Sequence, residues 1–128
     1  MCIRDSYIPV QGSIYGDDPD PAVEEFNTAF EAEYGARPSS QYAYPGYVMV
    51  DVWAKAVERA GSTEAAAVVA ELEKMQAEPT LFGPRTFTSE LHHQNQARYH
   101  IVKVDDGTPA VVDSWTIAEP VPMEALIQ

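Results

Sequence analysis

The chain is poor in cysteine, in basic side chains and in long apolar runs, and each shortage removes a class of protein. Cys2 is the one cysteine, so no disulfide can form within the chain. Eight Lys and Arg stand against twenty Asp and Glu, for a net charge of -12. A field of that sign repels phosphate backbones and anionic lipid, so nucleic acid and membrane surfaces are excluded as partners. No apolar run approaches the roughly 20 residues that cross a bilayer, and Met1 leads into a mixed segment without the apolar stretch of a secretory signal. There is no glycine-rich phosphate loop, no dinucleotide fingerprint, no G-x-S-x-G nucleophile turn and no H-E-x-x-H pair. No catalytic centre and no cofactor are expected, and the chain reads as a non-enzyme.

Metal binding is excluded on similar grounds. His92, His93 and His100 are the three histidines. Neighbouring residues in extended chain point to opposite sides, so His92 and His93 cannot readily share one ion. The acidic groups Asp17, Asp18 and Asp20, and Asp105 with Asp106, lack the ligand spacing of a calcium loop and read as solvating charge.

What is present is a globular composition, 45% hydrophobic, with a readable order of elements. Residues 7–10 suggest a short strand and 11–20 a loop. Asp20 suits an N-cap and Pro21 the first helical position; Val23, Phe26, Phe30 and Tyr34 follow on one face, and Gly35 with Pro38 ends the helix. A second helix carries Met49, Val52, Trp53, Ala56, Val57 and Ala60 as an apolar stripe closed by Gly61. Ser62 or Thr63 caps a third, with Val68, Leu72 and Met75 inward. Residues 80–87 form a turn and extended chain. Strands over 99–104 and 110–115 make a hairpin around Asp106 and Gly107. Helical stripes this apolar need a sheet to cover them, and too little sheet is visible here. The chain is therefore expected to be a piece of a larger fold, aggregation-prone when expressed alone. Residues 1–6 also resemble a translated sequencing-adapter remnant, which would place the true N-terminus elsewhere.

The tyrosines Tyr42, Tyr44 and Tyr47 cluster ahead of the second helix. A tyrosine offers a flat apolar face and a hydroxyl, which suits a ligand cleft as well as a core. Here the order of residues becomes specific. Phe26, Phe30, Tyr34, Gly35 and Pro38, then Tyr44, Tyr47, Asp51, Trp53, Ala60, Gly61 and Ser62, then Gly83, Pro84, Phe87, Asp106 and Gly107, together resemble the C-terminal third of periplasmic substrate-binding proteins. The resemblance is to the branched-chain amino-acid and amide type of ABC importers. It implies an α/β fold, the C-terminal part of a two-lobed architecture in the order β-α-α-α-β-β-β. Residues 7–118 would be the family segment and 119–128 a peripheral tail.

The function implied is that of a periplasmic solute receptor. It would bind an amino-acid-, amide- or organic-acid-like molecule between two lobes and present it to an ABC permease. Pro45 and Gly46 before Tyr47, and His92, His93 and Gln94 after Phe87, depart from the commonest pattern and count against leucine itself. Tyr44, with Tyr42 beside it, would line the ligand cleft, while Tyr47 would begin the buried stripe. Val10, Gln11, Gly12, Ile101 and Val102 would lie at hinge crossings. Two other readings stay open: a ligand-sensing regulatory domain of the same fold, and a fragment of a hydrolase.

Overall fold

The computed structural model describes residues 6–90, 92, 98–119, 121, 122 and 125. His93, Gln94, most of the proposed adapter remnant and part of the tail lie outside them. The element order is β1 (Ser6–Val10), α1 (Pro21–Tyr34), α2 (Ala43–Ala60), α3 (Ala65–Leu72), β2 (Arg98–Asp105) and β3 (Thr108–Thr116). This is the mixed α/β arrangement expected of part of a periplasmic-binding-protein fold. β1 starts at Ser6, one residue inside the segment assigned to the remnant. The chain falls into two compact units, Met1–Tyr44 with Arg98–Thr116, and Pro45–Ala97 with Ile117–Gln128.

The first unit holds the sheet and α1. Three antiparallel strands run in the order β1-β2-β3. Asp106 and Gly107 join β2 to β3 with φ of 47° and 84°, the positive values that a tight hairpin turn demands. A bulge between Ile101 and Val102 leaves Val112 without a partner on β2. Val10, His100 and Val102 are buried. Helix α1 keeps its expected ends: the Asp20 carboxylate accepts the Ala22 N–H at 3.0 Å, and Gly35 closes the helix at φ 76°. Its inward residues are Val23 and Asn27, whereas Tyr34 is 70% exposed.

The second unit is built from the rest of α2, α3 and the chain up to residue 90. Two expectations are corrected here. Helix α2 begins at Ala43, so Tyr44, Pro45, Gly46 and Tyr47 lie in its first turns and not in a preceding loop. Proline is tolerated there because the first N–H groups of a helix have no intrahelical partner. The buried row is also shifted: Tyr44, Val48, Val52 and Ala56 repeat every four residues and are enclosed, while Tyr47, Met49 and Trp53 are 50%, 74% and 49% exposed.

Helix α3 starts after Glu64, whose N–H is held by the Ser62 hydroxyl at 3.1 Å; Val68 and Met75 are buried and Leu72 half-buried. The seventh element implied by the extended chain after residue 83 is reduced to a single bridge. Glu78 and Arg85 exchange backbone hydrogen bonds of 2.7 and 2.8 Å. Gly83 turns the chain between the two bridge residues at φ 84°. Among the described residues no helix is long and apolar enough to cross a membrane.

Candidate ligand-binding site

The loop after β1 is tied down by its own acids. Asp18 accepts the N–H groups of Ser13 at 2.6 Å and Asp20 at 2.8 Å. Asp17 accepts the Ser13 hydroxyl at 2.5 Å and the N–H of Val111, on β3, at 2.6 Å. Asp20 caps α1 and pairs with Arg98 at 2.7 Å. Burial opposes its ionisation, but the bonds from Arg98 and the Ala22 N–H outweigh that and hold the carboxyl below its ordinary value. Carboxylates that read as solvating charge are thus the fasteners of this loop.

The fastened loop turns the Ser13 carbonyl inward. The Tyr44 hydroxyl lies 2.9 Å from that carbonyl and 2.9 Å from Asn27 Oδ1, so its one proton serves two acceptors. Asn27 Nδ2 donates to the same carbonyl at 3.1 Å and to Glu24 at 3.3 Å. The bond from Arg37, chief among the causes, holds the Glu24 carboxyl low. The Tyr44 ring is 0% exposed and meets Phe26 edge-on at 5.4 Å. Burial pushes its phenol up to about 12, despite the Asn27 bond. Gly12 is required at this packing: a Cβ there would stand 2.9 Å from Tyr44 Cε2.

Gly12 also borders a cleft of about 210 Å³. Its apolar wall is Ile8, Val10, Ile14 and Val102; Tyr15, Ser39, Ser40 and Gln41 supply hydroxyls and a carboxamide. Tyr42 follows Gln41 directly and is 78% exposed, its N–H held by Ser40 Oγ at 3.3 Å. Of the two tyrosines singled out by sequence, Tyr42 offers a free ring face and Tyr44 is packed beneath. Val10, Gly12 and Val102, expected at hinge crossings, line this cleft; Gln11 and Ile101 are half-buried beside them in sequence. All five belong to the first unit, and the chain changes unit around residues 44–45, 97–98 and 116–117. Sequence reasoning passed over Ser39, Ser40 and Gln41. Their signal was a short polar run between the helix-stopping Pro38 and an exposed aromatic.

One arrangement has the residue types of a nucleophilic site. His100 Nδ1 is 2.7 Å from Ser114 Oγ, and His100 Nε2 is 3.6 Å from Asp18 Oδ1. The second distance is that of a buried ion-pair contact, longer than a hydrogen bond. The Ser114 N–H is spent on Asp113 at 2.8 Å and is not free for an oxyanion. His92 lies in the second unit, exposed and paired with Glu73 at 2.9 Å. No group of three or more metal-ligating side chains forms among the described residues.

The second unit has its own recess of about 490 Å³, between α2, α3 and the turn at residues 80–83. Val48, Met49, Val52, Trp53, Phe82 and Phe87 line it. Arg85 stands over the Phe82 ring at 5.8 Å.

The two recesses differ in lining: hydroxyls and a carboxamide border the first, and mainly apolar side chains the second. The sequence model of the periplasmic binding protein family matches residues 5–109, and the chain belongs to that family, of the leucine-binding type. The family is in general one of non-catalytic, extracytoplasmic ligand-binding receptors. No curated protein matches the chain.

Proposed function

We propose that the chain is part of a solute receptor whose intact form binds an amino-acid-, amide- or organic-acid-like molecule in the periplasm and hands it to an ABC permease. The observation that carries this reading is the cleft lined by Tyr15, Ser39, Ser40 and Gln41, in a chain that matches the family over residues 5–109. In this reading Tyr42 packs on the apolar part of the ligand. Tyr44 acts one layer below, holding Ser13 and Asn27 in place. Val10, Gly12 and Val102 form part of the wall of the cleft, and together with Gln11 and Ile101 they are the proposed hinge residues of the intact receptor. No cofactor is called for.

The test is a thermal-shift and calorimetric screen of the intact parent protein against amino acids, amides and small organic acids. A saturable ligand whose affinity falls about 5- to 150-fold in Tyr42→Ala supports the reading, as expected for about 1–3 kcal/mol of lost aromatic contact. An intact protein that binds none of them overturns it.

A further inference from the structure

We infer that the cleft lined by Tyr15, Ser39, Ser40 and Gln41 takes an uncharged, hydrogen-bonding end group of the ligand, a carboxamide or a hydroxyl, and discriminates against a carboxylate or an ammonium. This deepens the receptor reading above and rests on it. The cleft is smaller than a complete small-molecule site, typically about 300–1,000 Å³, so it suits one end of a ligand. Its polar groups are the hydroxyls of Tyr15, Ser39 and Ser40 and the carboxamide of Gln41. Each of these can both donate and accept, which matches a neutral group with the same dual capacity.

Among the described residues no charged side chain lines the cleft. The described cations of this unit are Arg37, Arg98 and Lys103; they pair with Glu24 at 2.8 Å, Asp20 at 2.7 Å and Asp105 at 3.0 Å. The loop acids are equally engaged, Asp17 and Asp18 by backbone N–H groups and the Ser13 hydroxyl, Asp20 by Ala22 and Arg98. An anionic end group would lose its hydration and find no counter-ion, inside a unit rich in carboxylates. An ammonium would likewise give up water with no carboxylate among the described lining residues to receive it. A group buried with its charge uncompensated is costly, whereas a neutral amide whose hydrogen bonds are replaced loses little.

The experiment uses three probes of one shape: isobutyramide, isobutyrate and isobutylamine. Each is titrated into the ¹⁵N-labelled intact parent protein, and the amide resonances of Gly12, Ser39, Ser40 and Gln41 are followed. Dispersed resonances of β2 in the same spectrum report that the unit is folded. Isobutyramide is expected to give saturable shifts with an affinity at least about tenfold above either charged probe, as one unpaired charge would impose. Gln41→Leu, which keeps the bulk and removes the carboxamide, is expected to erase most of that preference. Equal or tighter binding of isobutyrate or isobutylamine overturns the inference, as does an absence of shifts with all three or an unchanged preference in Gln41→Leu. The receptor reading fails separately, when the intact parent protein binds no solute in the screen.

Discussion

Two units of one short chain solve the problem of cohesion differently. In the first, the most enclosed side chains include Ser13, Asn27, Tyr44 and His100, and the loop between β1 and α1 hangs on carboxylates. In the second, the enclosed residues are Val48, Val52, Ala56, Val68, Met75, Leu81 and Phe82, with Met49 and Trp53 left to solvent beside an open apolar recess. Polar networks are directional, so they fix one arrangement, and they fail sharply when a partner is lost. Apolar rows are tolerant of change where they are already half wet. The unit that must hold a small polar cleft in shape is the one with the network.

The largest break in this contrast is expected at Tyr44. Tyr44→Ala removes a fully enclosed ring and its two hydrogen bonds, and should cost about 3–5 kcal/mol. Tyr44→Phe keeps the ring and leaves Asn27 Oδ1 without the hydroxyl, for about 1–3 kcal/mol. Denaturant midpoints measure both, and amide exchange at Ile101 and Val102 tells whether the loss falls on the first unit. Similar losses from alanine at the exposed Met49 would dissolve the distinction between the units. Next comes Gly12→Ala. The added methyl meets Tyr44 Cε2 at 2.9 Å, and the ring is pinned by Phe26 and its hydroxyl bonds. About 1–3 kcal/mol of overpacking is expected in the same melt. A neutral result would mean that the ring has room to retreat.

These residues also mark where the sequence could and could not be read. The ends of α1 and the hairpin turn were legible because their determinants are local: Asp20, Pro21 and Gly35 act within a turn, and Asp106 with Gly107 spells its own backbone. The shift of the buried row on α2 was not, because Val48 and Met49, or Val52 and Trp53, are neighbours on one broad apolar face. Only tertiary contacts choose between them. The part played by Asp17 was beyond local reading, since its partner Val111 lies 94 residues away. The tyrosine cluster was legible as a group of rings, yet which ring would be enclosed depended on Ser13 and Asn27, 31 and 17 residues distant from Tyr44.

A smaller effect sharpens the electrostatic half of the contrast. Asp20 and Glu24 ionise more readily folded than unfolded, through Arg98 and Arg37 together with backbone and Asn27 bonds. Their stabilisation is therefore complete above the ordinary carboxylate range. It is lost as the pH falls through that range toward the lower values of the folded state. Each pair is partly exposed and worth about 0–1 kcal/mol. Acid titration followed by exchange should show β2 and α1 loosening over that window, and Arg98→Ala should flatten the response. Tyr44 acts at the other extreme. Its phenol is raised to about 12, so the stability it supplies is present below its ordinary value near 10 and declines as the pH climbs between the two. Tyrosinate absorbance should show one tyrosine titrating late, and Tyr44→Phe should remove it.

The smallest expected effect on stability falls in the second unit, at Met49. Met49 and Trp53 both border the apolar recess, yet they are 74% and 49% exposed. Little of the Met49 area leaves water on folding, so little free energy returns to water when it is cut back, whereas about half of Trp53 is covered. Met49→Ser should change the unfolding free energy by about 0.5 kcal/mol or less, in line with other solvated positions. Its consequence should appear in association instead. Val50 and Tyr47, exposed on the same helix, extend the apolar surface beyond the recess, and surfaces of this kind drive self-association. Light scattering against concentration should therefore show Met49→Ser remaining monomeric where the parent chain aggregates, with the thermal midpoint nearly unchanged. A midpoint that drops by several degrees while aggregation stays the same would mean that Met49 is a core residue after all. The polar and apolar units would then owe their cohesion to enclosed side chains in the same way.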